Sequence, residues 1–180
     1  MELGGRKERY IMNYIDKKLF DQGVLQLFGD LEYFNVAGLV SFLHQALQKP
    51  GKEFTVSICS PGGDFNLAIG LFDLIRWASR LGTRVNTVCF GEVSSGGILI
   101  AAAGDRIIAL PNTSFCMHYV INDETKERDV PETLRYLRLI EERTKLRADH
   151  ALEEIKKGDN NEWIFDAPTA LSVGLITEIV

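Results

Sequence analysis

The sequence predicts an α/β fold with a largely parallel sheet. Short apolar runs alternate along the chain with longer segments whose apolar residues recur every three or four positions. Turn-forming clusters such as KPGK and SPGG separate these segments. Alternation of this kind is typical of a parallel sheet covered by helices. With 180 residues and 46% hydrophobic content, the chain favours one domain of ordinary globular composition.

The first half of the chain predicts three strands and two helices. Residues 1–22 are charged and weakly patterned, and we expect an N-terminal arm or a short helix before a single domain over 23–180. Asn35 is predicted to cap the first helix of that domain, which ends near residue 48. The strands are expected at residues 23–31, 53–59 and 84–90, and the second helix at 65–80.

The second half predicts short strands and one long helix. DRIIAL and SFCMHYV are expected to be strands separated by a Pro-Asn turn. Asp129 and Pro131 mark a helix start, and apolar spacing predicts one continuous helix over about residues 131–157. A helix of that length cannot pack wholly on so small a domain, so we expect its far end to meet another subunit. The C-terminal segment, DAPTALSVGLITEIV, predicts a short helix and a final strand.

Composition narrows the classes of function. A net charge of −5 gives no support to nucleic acid or an anionic membrane as a partner. Cys59, Cys89 and Cys116 form no C-x-x-C pair, so neither a zinc site nor a disulfide framework is indicated, and we expect reduced thiols. The chain shows no apolar stretch of signal-peptide or membrane-spanning length. These observations predict a cytoplasmic protein.

The segment GEVSSGG holds a candidate nucleophile. Ser94 and Ser95 stand where a strand gives way to an apolar helix, so they are either helix caps or reactive groups. At such a junction, free backbone N–H groups and the helix dipole favour developing negative charge. Gly96 lets another backbone approach closely and offers one N–H for an oxyanion. The spacing does not match the G-x-S-x-G elbow of other hydrolases.

Two further segments can supply the rest of a serine hydrolase site. SPGG ends a strand, and Gly63 is a candidate second oxyanion donor. His118 ends the predicted strand SFCMH and is the candidate base, whereas the other two histidines, at 44 and 150, lie on helices. A carboxylate behind the base would hold its tautomer. The candidates are Glu162, Asp159 and Asp166.

These motifs resemble the caseinolytic Clp protease proteolytic subunit (ClpP) family. The similarity extends from about residue 25 to the C-terminus and includes SICSPGGDFNLAIG, VCFGEVSSGGILIAAAG and PNTSFCMH. The resemblance implies a crotonase-type spiral of ββα units with a protruding handle helix at about 131–157. It implies that Ser95 is the nucleophile and His118 the base. Gly63 and Gly96 match the oxyanion donors, and counting back from DAPTA puts Glu162 at the third position of the triad.

The resemblance also implies partners. ClpP-like subunits associate into heptameric rings, which stack into a closed chamber, and an ATP-driven AAA+ unfoldase feeds them protein substrates. The chain itself has no phosphate-binding loop. Neither a metal nor an organic cofactor is expected.

The sequence departs from the family pattern in three places. HYV replaces the usual His-Gln-Pro, INDETKERDV replaces a glycine-rich stretch, and Glu162 stands where the family has Asp. These departures keep open a catalytically inactive ring subunit. A crotonase-type acyl-CoA enzyme would need neither Ser95 nor His118. A third alternative is a signal-peptide peptidase or a phage head-maturation peptidase of the same superfamily. Signal-peptide peptidases are membrane-anchored and use a lysine base, and no lysine here lies in a comparable motif.

Overall fold

The structure is a computed structural model that describes residues 14–122 and 124–180. The predicted N-terminal arm lies outside the described residues up to position 13, and its last part forms a helix. In the first half of the chain the elements are α1 Tyr14–Asp21, β1 Val24–Phe28, α2 Tyr33–Ala46, β2 Glu53–Ser60, α3 Phe65–Arg80, β3 Arg84–Ser94 and α4 Gly96–Ala102. In the second half they are β4 Ile107–Ala109, β5 Ser114–His118, α5 Val130–Glu141, α6 Ala148–Lys157, β6 Glu162–Asp166, α7 Ala167–Ser172 and β7 Glu178–Ile179.

The sheet is largely parallel, as predicted. Its main path runs β1-β2-β3-β4-β7, and every pair along it is parallel. β3 also pairs in parallel with β5 through its last three residues, and β5 pairs with β6 in antiparallel fashion. A long β3 therefore contacts β4 with its middle and β5 with its end.

A bulge in β3 separates these two pairings. β2 pairs with β3 at Ile58↔Cys89 and again at Ser60↔Val93, so β3 has two more residues than β2 between the pairs. Gly91 lies in this bulge with φ 62°. Bulges of this kind bend a strand and re-aim the residues that follow. The bulge thus turns the end of β3 towards β5.

The core lies around α4, which is buried along its whole length. An α-helix that is apolar on every side is covered on every side, and α4 is packed between α3, β2, β3 and α5. Its largest fully buried side chains are Ile98, Leu99 and Ile100. Near β1, at the edge of the sheet, Phe20 of α1 stacks on Phe42 and on Phe54, with ring centroids 5.0 and 5.5 Å apart.

Asp105 joins the end of α4 to its neighbours. Its carboxylate accepts hydrogen bonds from Arg76 Nη1 at 2.9 Å, Ser79 Oγ at 2.9 Å and the Val85 N–H at 3.0 Å. Burial acts to raise the pKa of Asp105, but these three donors outweigh it and hold that pKa below its ordinary value. The ionised carboxylate therefore connects α3, β3 and the turn after α4.

Two sequence predictions about helices are wrong. Asn35 does not cap α2, because the cap position is Glu32 and the Asn35 Nδ2 donates to the Asp30 carbonyl at 2.9 Å. The predicted continuous helix over 131–157 is two helices, α5 and α6. Its predicted start is confirmed, since the Asp129 side chain accepts from the Glu132 N–H.

Tertiary contacts explain the break between α5 and α6. Lys145 donates its N–H to the Gly174 carbonyl at 2.9 Å, and Thr144 Oγ accepts from the Leu146 N–H at 3.2 Å. Leu146 is buried in the core as a result. α6 then folds back on α5 and covers β6. Within the described part of the chain, no helix is both long and apolar enough to cross a bilayer.

Candidate active site

The three segments whose sequence motifs predict a serine hydrolase site meet in one groove. Gly63 follows β2, Ser95 follows β3 and His118 ends β5, and all three line a pocket of about 560 Å³. The carboxyl ends of parallel strands share one edge of a sheet, where α/β folds place their sites. The remaining lining residues are Asp30, Leu31, Glu32, Pro61, Asp64, Phe65, Val120 and Ile121.

Ser95 has an unusual backbone conformation. Its φ is 50° and its ψ is −123°, a region that glycine adopts freely and other residues adopt at a cost of about 1–3 kcal/mol. Ser95 occupies the N-cap position of α4, yet its side chain makes no capping hydrogen bond. Capping therefore does not explain this serine. Ser94 is buried, and its hydroxyl donates to Glu92 Oε1 at 3.0 Å.

Backbone hydrogen bonds hold both sides of Ser95. Its N–H donates to the Cys116 carbonyl in β5 at 2.8 Å. Its carbonyl accepts from the Ile98 N–H at 3.0 Å and from the Tyr136 hydroxyl at 3.1 Å. These contacts come from β5, α4 and α5, so three elements fix the conformation of one residue.

Neither glycine of the SPGG turn has room for a side chain, because Gly62 lies against Ser95 and Gly63 against Leu31. A Cβ on Gly62 would lie 2.7 Å from the Ser95 Cβ, and a Cβ on Gly63 would lie 2.8 Å from the Leu31 N and O. Gly62 and Asp64 make the backbone bonds to Leu31, at 2.7 and 3.0 Å. In a parallel bridge of this kind the N–H of the middle residue points away from the partner. The Gly63 N–H is therefore directed away from Leu31.

Gly96 offers a second backbone donor beside Ser95. It is the first residue of α4, and the first N–H groups of an α-helix have no acceptor within the helix. A Cβ at this position would meet Leu31 Cδ1 at 2.8 Å and Ala68 Cβ at 3.0 Å. The close packing thus holds the start of α4 next to the SPGG turn.

His118 has one ring nitrogen engaged. Its Nδ1 lies 2.6 Å from the Tyr119 carbonyl oxygen. A carbonyl can only accept, so Nδ1 carries the proton and Nε2 keeps its lone pair in the neutral ring. That is the tautomer a general base needs. His44 is exposed on α2, and the His150 ring lies edge-on to Trp163, so neither lines the groove.

The structure places the three candidate carboxylates differently. Glu162 lies directly opposite His118 in the antiparallel β5–β6 pair, so both side chains are on the same face of the sheet. Asp166 accepts from the Thr169 N–H at 2.9 Å and caps α7. Asp159 belongs to the short turn Asp159–Asn161 that precedes β6. Of the three, Glu162 is therefore the one that the strand register brings beside His118, although His118 Nδ1 bonds to the Tyr119 carbonyl.

Cys116 lies on the same face, two residues before His118. Burial raises the pKa of its thiol to about 11, and the negative charges of Glu162 and Glu92 add to that effect. The thiol is therefore neutral at physiological pH and is not activated as a thiolate. Among the described cysteines, each has a free thiol, as the sequence predicts.

Three carboxylate side chains give the groove a negative charge. Asp30, Glu32 and Asp64 line it, and its described lining includes neither lysine nor arginine. Asp64 also caps α3 by accepting from the Leu67 N–H at 2.9 Å. Leu31, Phe65, Val120 and Ile121 add apolar surface. The groove therefore combines negative charge with apolar surface.

Two groups that contact the site were not predicted from the sequence. One is the Tyr119 carbonyl, a backbone atom that no side-chain pattern reveals. The other is Tyr136, which is buried on α5 together with Thr133, Leu137 and Ile140. These positions follow the i, i+3, i+4, i+7 spacing of a buried face. That spacing could have marked Tyr136 as buried, but not what it contacts.

Residues 6–180 match the model of the Clp protease family. The chain belongs to that family. It is 29% identical over 139 residues to ATP-dependent Clp protease proteolytic subunit 2 of Streptomyces coelicolor, covering 73% of this chain and 62% of that protein. It is 25% identical over 170 residues to proteolytic subunit 1 of Rhodopirellula baltica, covering 90% of this chain and 74% of the relative.

Solved structures confirm the fold class. A ClpP1 mutant from Listeria monocytogenes superposes with a TM-score of 0.74 at 23% identity, over 92% of this chain and 95% of that one. The ClpP protease catalytic domain from Plasmodium falciparum gives 0.77 at 19% identity, over 98% and 94%. The predicted ClpP-type α/β fold is therefore correct.

The strained backbone of Ser95 predicts an inverted response to glycine. Ser95→Gly should be more stable than Ser95→Ala by about 1 kcal/mol, because relief of about 1–3 kcal/mol of strain exceeds the usual entropic penalty of glycine, about 0.5–1 kcal/mol. Urea unfolding of both variants measures the difference. Ser114, an exposed strand residue in β5, provides the control, and there glycine should be the less stable substitution. Glycine being the less stable substitution at position 95 as well would contradict the strain.

Proposed function

We propose that this chain is a ClpP-like serine endopeptidase in which Ser95 is the nucleophile. The observation that carries the proposal is the conformation of Ser95, which is costly, is held from three sides and leaves its hydroxyl outside any capping bond. Strain of this kind is concentrated at functional sites. The same groove holds Gly63 and His118, whose Nδ1 lies against the Tyr119 carbonyl. Gly96, the first residue of α4, directly follows Ser95.

The geometry supports acyl transfer in two stages. Ser95 Oγ attacks the peptide carbonyl while His118 Nε2 takes its proton, and a C–O bond forms as the carbonyl oxygen becomes negative. The N–H groups of Gly63 and Gly96 stabilise that oxyanion. His118 then returns the proton to the leaving amine as the C–N bond breaks. Water, activated by the same histidine, hydrolyses the acyl-serine ester.

Glu162 is the proposed third member of the triad. Its support is the register that puts it directly across from His118. For a carboxylate to orient the imidazole, Nδ1 must exchange the Tyr119 carbonyl for Glu162, which requires a rotation of the ring. The alternative is a Ser95–His118 dyad in which the Tyr119 carbonyl alone holds the tautomer.

The family relationship supports an assembled enzyme. The relatives from Streptomyces and Rhodopirellula are described as proteolytic subunits of an ATP-dependent protease. We extend this to the present chain as a proposal: a cytoplasmic ring chamber fed by an AAA+ unfoldase. Exposed Phe28, Tyr33 and Phe34, each 66–73% accessible at the end of β1 and the start of α2, support burial of that surface in an assembly.

A catalytically inactive ring subunit is the second candidate. The observation that favours it is the contact of His118 with Tyr119 in place of a carboxylate. The two candidates differ in whether Ser95 reacts, and an assay of that reactivity separates them.

Reaction with a fluorophosphonate tests the proposal. The native, assembled protein should gain one phosphonyl group per chain with loss of fluoride, because Ser95 Oγ is activated. Ser95→Ala should abolish the adduct, and His118→Gln should slow labelling by about 10²-fold or more. Intact mass and peptide mapping give the site and rate. Ser94→Ala is the matched control and should label normally. Native protein without an adduct from pH 6 to 9 would reject the peptidase and favour the inactive subunit.

The same assay tests the third triad member. Glu162→Gln should lower the labelling rate by about tenfold or more, because the imidazolium formed in the reaction loses its charge partner. Asp159→Asn and Asp166→Asn serve as matched controls and should label at the native rate. Native-rate labelling of Glu162→Gln would instead assign the orienting role to the Tyr119 carbonyl.

The acidic groove predicts a preference among peptides. Fluorogenic peptides with Lys or Arg beside the scissile bond should have a kcat/KM roughly two- to fivefold above that of their Glu counterparts, since exposed charge pairs contribute about 0.2–1 kcal/mol. The ratio should fall towards one at 0.5 M salt. Glu32→Gln should reduce the preference, whereas Glu124→Gln, outside the groove, should leave it unchanged. Equal cleavage of both peptides at low salt would contradict this assignment.

A further inference from the structure

The buried hydroxyl of Tyr136 has no part in the chemical steps above, yet it contacts the site. We propose that α5 holds two segments of the active site in place and that Tyr136 is a positioning residue for its oxyanion hole. The inference rests on the proposed peptidase function and adds an element that controls it. Tyr136 touches neither substrate nor reacting atoms, so it would act through the backbone of Ser95.

Tyr136 is well placed to act as a fixed donor. Its side chain is 2% exposed, and its ring lies edge-on to Phe65, with centroids 6.4 Å apart. Its hydroxyl donates to the Ser95 carbonyl at 3.1 Å. Burial, with a smaller effect of Cys116, raises the pKa of the phenol. The hydroxyl therefore keeps its proton and remains a donor at physiological pH.

The peptide unit that Tyr136 holds is the one that carries the Gly96 N–H. The Ser95 carbonyl and the Gly96 N–H belong to one planar trans peptide group, so they point in opposite directions. A donor that fixes the carbonyl consequently fixes the direction of the N–H. Rotation of this peptide would move the Gly96 donor out of the oxyanion hole. The Tyr136 bond opposes that rotation together with the Ile98 N–H, which shares the carbonyl.

The first turn of α5 holds the other side of the groove. Thr133, one turn before Tyr136, accepts the Val120 N–H at 2.9 Å and donates its hydroxyl to the Asp129 carbonyl at 2.6 Å. The Asp129 N–H donates to the Val120 carbonyl at 2.7 Å. Val120 lines the groove two residues after His118. One helix thus restrains both the nucleophile junction and the segment that follows the base.

Tyr136→Phe removes only the donor and keeps the ring. We expect it to lower the fluorophosphonate labelling rate and the peptidase kcat by about tenfold to a hundredfold, because displacing an aligned group can cost on the order of 10²-fold, while KM stays near the native value. Deuterium exchange of residues 91–100 should also become faster. Thr83→Val is the matched control, since the Thr83 hydroxyl is buried and bonds to the Ala46 carbonyl at 3.1 Å at the start of β3. It should change neither the labelling rate nor exchange in 91–100.

The measurements separate the possible failures. Native labelling and native exchange in a folded Tyr136→Phe protein would overturn the inference and leave the peptidase proposal intact. If native protein does not label at all, the peptidase proposal fails, and the exchange of residues 91–100 still decides whether Tyr136 restrains them. If Tyr136→Phe does not fold, Thr133→Val tests the contact of α5 with Val120. It should speed the deuterium exchange of residues 117–122, and unchanged exchange there would overturn the proposed role of α5.

Discussion

The site depends on the bulge that turns the end of β3 from β4 towards β5. Through Cys89, β3 pairs with β4, and from Glu92 onward it pairs with β5. Only this change of partner lets the Ser95 N–H reach the Cys116 carbonyl, two residues before His118. Without it, the serine junction would follow β4 and lie away from the histidine strand. The proximity of Ser95 and His118 in one groove is therefore a property of the sheet rather than of either motif alone.

The surrounding structure is arranged around one unfavourable conformation. Ser95 occupies a region of φ and ψ that suits glycine, and packing and hydrogen bonds from the SPGG turn, β5, α4 and α5 hold it there. The burial of α4, the helix that follows Ser95, offsets the free-energy cost of this strain. Ser95 thus lines the groove at the start of a buried helix, and the proposed acyl transfer needs a hydroxyl that is held in place in this way. In the proposed peptidase, stability and chemistry are therefore coupled at this residue.

Local signals predicted much of this arrangement. The first and last residues of α3 and the N-cap of α5 at Asp129 were predicted correctly, because both depend on residues that are neighbours in the sequence. The break before α6 was missed because a distant carbonyl, that of Gly174, creates it. β6 was missed because EWIFD is short and half polar. Motif order placed Gly63, Ser95 and His118 in one groove, whereas the contact of Tyr136 with Ser95 spans 41 positions and leaves no local pattern.

A crystal structure of the Ser95 phosphonyl adduct tests the proposed mechanism most directly. In the adduct, Ser95 should keep its positive φ. One phosphonyl oxygen should accept hydrogen bonds from the Gly63 and Gly96 N–H groups at about 2.7–3.1 Å. An adduct on Ser95 in an ordinary helical or extended conformation, with that oxygen directed to solvent, would contradict the mechanism.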